Sequence, residues 1–279
     1  MSLSTTTKSR VNFLGLAGAT VIGTAVAAGA PSQSDAAGTA AATDNLTEVP
    51  ELHPQWRSLD LASILALPTA FLSISQSNSL YDPNGAQSGE RHWERPSLSN
   101  TIKVAKAART ANAHFFWVGY DIFREHYPKT PFDRVQYATW YGPYEHWSAA
   151  RKKWDGELTP ALAALRQPGD VEFFETAHQT SFVGTPLPGY LSKLGIHTII
   201  LTGIHLDWCI EGNARAARDN GIMPIVVADA CACQKPEDES AALRRINTFF
   251  APVVSADAIV ALLDKSRTLR SSVSYVGDV

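Results

Sequence analysis

Five short apolar runs, separated by stretches with helical spacing, constrain this chain more than any other feature. They are AFLSIS (70–75), HFFWVGY (114–120), VEFFET (171–176), TIILTGI (198–204) and PIVVADA (224–230). Runs this short, rich in β-branched and aromatic residues and bounded by turn residues, fit strands buried on both faces of a parallel sheet. Between them lie NTIKVAKAARTAN (100–112), PLPGYLSKLG (186–195), CIEGNARAARDNG (209–221) and DESAALRRINTFF (238–250), each patterned as a helix. A last helix, ADAIVALLDKS (256–266), follows the short run PVVS, and Gly195 and Gly221 stand where helices should stop. Strand–helix alternation with short connections and right-handed crossovers predicts an α/β, doubly wound, mostly parallel sheet. Such sheets bind ligands at the carboxyl ends of their strands.

Composition bounds what surrounds that sheet. The chain has 279 residues, 45% of them hydrophobic, which suffices for one α/β domain over 56–279 with appendages. Residues 1–30 have a basic start, a Gly- and Ala-rich apolar stretch and small residues at Ala25, Ala27 and Ala30. That is the build of an export signal, so a periplasmic or secreted protein is expected. SRVNFLG is similar to a twin-arginine signal, with Val11 in place of the second arginine. Residues 31–55 read as a flexible linker, too poor in bulky side chains to fold. A formal net charge of -3 gives no basic footprint and argues against nucleic acid as a partner. Three cysteines make no disulfide framework, and Cys231 and Cys233 read as small buried residues at a strand end.

Cys209 lies just past TIILTGI, at the mouth of a helix. The positive end of the helix dipole should pull its pKa below about 8.5, although packing alone would also place a cysteine there. The surrounding sequence, TIILTGIHLDWCIEGNARAARDNGIMPIVVADAC, resembles the nucleophile segment of the isochorismatase-like cysteine hydrolases. TAFLSISQSN is similar to that family's first strand, NTIKVAKAARTANAHFFWV to the next helix and strand, and TSFVGTPLPGYLSKLGIHTIILTG to the approach to the cysteine. The resemblance covers most of residues 59–266. It implies a three-layer fold, an Asp–Lys–Cys triad and a cis peptide just before the nucleophile helix. In that scheme a thiolate attacks an amide-type carbonyl and water hydrolyses the acyl-enzyme.

Carried over by position, the nucleophile is Cys209. The cis peptide falls at Ile204–His205, and the oxyanion would rest on the N–H groups of His205 and Cys209. The family carboxylate falls on Ser75 and the family lysine on Thr176. A hydroxyl is no base near neutral pH, and threonine supplies no positive charge. Two readings follow. In one, His205 or His178 replaces the base, with Glu175 or Asp207 orienting it. In the other, the fold binds a ligand without turnover or performs non-hydrolytic, lyase- or isomerase-type proton transfer. The expected function is hydrolysis of a C–N or related carbonyl bond of a small molecule, aromatic substrates included.

Residues 120–150 carry Tyr120, Phe123, Tyr127, Phe132, Tyr137, Trp140, Tyr141, Tyr144 and Trp147, with three prolines among them. This density reads as an irregular lid or arm. Trp140, Tyr141, Tyr144 and Trp208 are the candidate substrate-binding residues. Equally, such aromatics suit an interface between copies, and the resemblance implies a homo-oligomer, dimer or tetramer. Some relatives carry zinc on an aspartate and two histidines. Here Asp121 and His126 are five apart and His114 sits in a strand, so no metal site and no cofactor are expected.

Overall fold

Each apolar run becomes a strand within a residue or two of its expected bounds in the computed structural model, which describes residues 48–120, 130–176 and 178–272. The strands are β1 (Thr69–Ile74), β2 (His114–Tyr120), β3 (Val171–Thr176), β4 (Thr198–Ile204), β5 (Met223–Ala232) and β6 (Val253–Val254). They form one sheet in the order β3-β2-β1-β4-β5-β6, and every neighbouring pair is parallel. Helix α1 (Leu61–Leu65) precedes the sheet, and α2 (Asn78–Tyr81) and α3 (Ser97–Thr110) link β1 to β2. The long β2–β3 connection holds α4 (Pro131–Trp140), α5 (Ala149–Gly156) and α6 (Pro160–Ala163). Single helices α7 (Leu187–Lys193), α8 (Glu211–Asp219) and α9 (Glu239–Phe249) make the next three crossovers, and α10 (Ala256–Ser272) follows β6.

Alternation along the strands sorts the core into two layers. Leu72, Leu201 and Val226 face Leu191, Ala214 and Ile246 of α7, α8 and α9. Their chain neighbours Phe71, Ile200 and Ile225 face the opposite way, toward Val104 of α3 and Ile259 and Leu263 of α10. Each of these side chains is essentially fully buried, which stabilises the fold by about 1.5–3 kcal/mol per large residue. The result is the expected three-layer, doubly wound arrangement.

Strand order reverses between β1 and β4, which are nonetheless paired up to Ile74 and Gly203. A crevice outside the carboxyl ends of the strands at such a point is where ligands bind. The close approach needs glycine: a Cβ on Gly203 would lie 2.0 Å from the Ile74 carbonyl oxygen, and its φ is +125°. Ser75 leaves β1 and His205 leaves β4 on either side of that crevice.

Two expectations change. The aromatic stretch is not irregular throughout, since Pro131–Trp140 is helical. Thr130 and Asp133 form a reciprocal capping box and Pro131 occupies the first turn, so the aromatic sequence starts a regular helix, α4. Residues 121–129, with Asp121 and His126, lie outside the described residues. Residues 48–55, the end of the stretch expected to be a linker over 31–55, pack on the domain. Val49 packs on the core, His53 N–H donates to Asn247 Oδ1 at 3.3 Å, and Asn247 Nδ2 donates to the Glu51 carbonyl at 2.7 Å. Residues 1–30, expected to be an export signal, also lie outside the described residues.

Candidate active site

A small cleft opens at the switch point. Cys209 and Ser75 lie in it together with His205 and Trp208, while Tyr120 and Tyr141 supply aromatic walls from the β2 end and the arm. Ser77, Leu80 and Gln87, from the segment after β1, complete the lining. Among the described residues that line it there is no Asp, Glu, Lys or Arg.

Local structure explains how the cysteine is presented. The peptide bond between Ile204 and His205 is cis, at the position the resemblance implied. Residues 206–210 then form one wide π-turn, with Ile210 N–H donating to the His205 carbonyl at 3.0 Å. Cys209 therefore does not open α8, as its sequence suggested, but sits in the turn before it. The Asn213 amide donates to the Cys209 carbonyl at 2.8 Å and to the Gln179 carbonyl at 3.4 Å, tying the turn to the chain after β3. Ser75 adopts a left-handed φ of +53°, and its N–H donates to the Val118 carbonyl at 2.7 Å. That conformation is uncommon for a residue with a side chain and aims its hydroxyl at the cysteine.

The sulfur is not a resting thiolate. Burial pushes the Cys209 thiol up to about 11, outweighing hydrogen bonds from the His205 N–H and the Ser75 hydroxyl, and the Asp207 charge adds to the rise. The expectation of a lowered pKa is thus corrected: desolvation overrides the helix dipole for a side chain that is 8% exposed.

The histidines separate. His205 is buried, lines the cleft and lies under the Trp208 ring, with centroids 6.1 Å apart at 21°. His178 is exposed, with its ring 3.3 Å from where a Gly184 Cβ would stand, and it is not among the cleft residues. Thr176 pairs with Tyr120 at the end of β3, beside the cleft wall, while the side chains of Glu175 and Thr176 lie outside the described residues. Tyr141 lines the cleft directly. Trp140 is 39% exposed and reaches the cleft only through an edge contact with Trp208, centroids 5.0 Å apart. Tyr144 packs on Trp147 and supports Tyr141 from behind.

Sequence reasoning missed Glu90 and His92. Glu90 Oε2 accepts hydrogen bonds from His205 Nε2 at 2.6 Å and His92 Nε2 at 2.7 Å, and Glu90 Oε1 accepts one from Gln234 Nε2 at 3.1 Å. Arg95 closes the cluster from outside, donating to the Cys233 and Gln234 carbonyls at 2.6 and 3.2 Å. The available signal was the Glu-Arg-His triplet at 90–92 in a turn-rich segment after the first strand. Burial alone would raise the Glu90 carboxyl, but the bonds from His205 and His92 outweigh it and hold it down at about 2. Burial lowers His92, against the pull of Glu90. Glu90, His92 and His205 bring ligand-type atoms within 4.8 Å of one another. As arranged, each Nε2 lies at hydrogen-bond distance from Glu90 Oε2, so the three groups pair with one another.

Comparison with known proteins agrees with this architecture. The family description "Isochorismatase domain" matches residues 69–258. The chain is 34% identical over 122 residues to a ureidoacrylate amidohydrolase of Methylorubrum extorquens, covering 43% of this chain and 48% of that protein. It is 33% identical over 120 residues to a nicotinamidase of Acinetobacter baylyi, covering 38% and 54%. The chain thus spans about half the length of these curated relatives. A cysteine hydrolase from Pseudomonas syringae pv. phaseolicola has the same fold, with a TM-score of 0.60 at 19% identity over 72% of this chain and 94% of that one. A family match across the whole sheet, from β1 to the start of α10, means that the chain belongs to the isochorismatase domain family.

Proposed function

We propose that this protein hydrolyses a C–N, amide-type or related carbonyl bond of a small uncharged molecule through the sulfur of Cys209. The observation that carries the reading is the meeting of Cys209 and Ser75 on one cleft at the switch point of the sheet. The matched amidohydrolase and nicotinamidase support the bond class, and the aromatic walls Tyr120, Tyr141 and Trp208 support a flat, apolar substrate body. Gln87 and Ser77 provide hydrogen bonds for its polar end.

In this reading Cys209 Sγ attacks the carbonyl carbon as its proton leaves. The oxyanion takes hydrogen bonds from the backbone N–H groups of His205 and Cys209, and the C–N bond breaks to give a thioester that water hydrolyses. The raised thiol favours a second reading, ligand binding without turnover. One experiment separates the two. The full chain and Cys209→Ala are assayed against a panel of amides, lactams and esters, with thermal unfolding as a control. Hydrolysis by the wild type that falls at least about a thousandfold in the alanine variant, with unfolding unchanged, is the expected result. Equal rates in both proteins refute the covalent route, and no hydrolysis by either supports binding alone.

A further inference from the structure

We propose that His205 is the base that takes the Cys209 proton and that Glu90 positions it, so that a Cys–His–Glu relay stands where the family carboxylate is missing. This rests on the hydrolase reading above. Tautomer decides the matter. Glu90 is only 9% exposed at its side chain and ionised, so it can only accept hydrogen bonds. The Nε2 atoms of His205 and His92, at 2.6 and 2.7 Å, must therefore carry their protons. The lone pair of each ring then lies on Nδ1. For His92 that nitrogen is sealed: the side chain is fully buried and Nδ1 has no hydrogen-bond partner among the described residues. His205 alone of the pair opens on the cleft that holds Cys209, and no hydrogen bond among the described residues engages its Nδ1.

The surroundings fit that role. Trp208 lies over the His205 ring and fixes its plane. Titratable groups surround it: Glu90 and His92 from the segment before α3, and Cys209, Tyr120 and Tyr141 across the cleft they share with it, the Cys209 sulfur being bonded by the His205 backbone N–H and the Ser75 hydroxyl. Arg95, paired with Glu239, acts on His92 from behind. Glu90 touches both rings, so its charge is placed to stabilise an imidazolium.

The proton balance closes without a further reagent. The thiol proton passes to Nδ1 as the S–C bond forms and the carbonyl electrons move to oxygen. The imidazolium returns that proton to the departing nitrogen as C–N breaks. Water then attacks the thioester and gives a proton to Nδ1, which hands it to the expelled sulfur. The sum is amide plus water to acid plus amine.

The test needs no substrate, so its failure is distinct from failure of the hydrolase reading. Iodoacetamide alkylation of Cys209 in the full chain is followed against pH for wild type, Glu90→Gln and His205→Gln, with Cys209→Ser giving the background. An amide at position 90 can donate to Nε2 and reverse the tautomer. Near pH 7 both variants should react at least about tenfold more slowly than wild type. The three rates should converge as pH approaches about 11, where the thiol ionises unaided. Wild-type rates near pH 7 in either variant, or a deficit of the same size at every pH, overturn the proposal; the second outcome marks a packing role. Thermal unfolding checks each variant, and His205→Gln carries the test if Glu90→Gln does not fold.

Discussion

Cys209 shows why a residue's neighbourhood, not its place in a motif, sets its chemistry. Sequence placed it correctly after β4 but assigned it a low pKa from the helix dipole. Burial is a tertiary quantity, and here it wins by pushing the thiol to about 11. Glu90 was illegible for a related reason: it meets His205 across 115 positions of sequence, and only the fold of the segment after β1 creates the pair. Its linkage has a definite sign. A carboxyl held at about 2, against 4.5 in the unfolded chain, stabilises the fold fully above the unfolded value. That contribution disappears as pH falls from about 4.5 toward 2. The difference in melting temperature between wild type and Glu90→Gln should therefore be constant near neutral pH and close across that acid window. A gap that stays open down to pH 2 would contradict the assigned ionisation.

At the scale of elements, the strands and most helices were readable because their patterns are local. The apolar runs at 114–120, 171–176 and 198–204 coincide with β2, β3 and β4. The arm was less readable, because its aromatic density hid the Thr130–Asp133 capping box that starts α4. What α5, after the arm, does was not readable at all. Asp155 of α5 accepts the Ala86 N–H at 2.8 Å, Asn78 Nδ2 donates to the Trp154 carbonyl at 2.9 Å, and Arg151 bonds the Asn84 carbonyl. These bonds hold the segment that carries Gln87 to the cleft and Glu90 behind it. On the other side, β4 reaches the cleft by passing β1 at Gly203. Gly203→Ala should cost roughly 3 kcal/mol or more, since its Cβ meets main chain and its φ is positive. Chemical denaturation measures this, and a loss under about 1 kcal/mol would mean that β1 and β4 can separate without penalty.

For the molecule as a whole, sheet order does the positioning. Reversal between β1 and β4 places Ser75 and Cys209 on one crevice, and the segment after β5 adds Gln234 to the cluster behind it. The resemblance in the sequence pointed to this fold and to the cis bond at Ile204–His205, both of which the structure contains. The proposed base, His205, was a candidate in the sequence, but its pairing with Glu90 and His92 depends on segments converging, which no local pattern encodes. The central claim is a covalent step on one sulfur. Its most direct measurement is mass spectrometry of the Cys209 peptide after rapid acid quench of the full chain turning over a hydrolysed amide or ester. The account predicts that this peptide gains the mass of the substrate's acyl group and loses it as turnover completes. Turnover with an unmodified Cys209 peptide at every time point would contradict it.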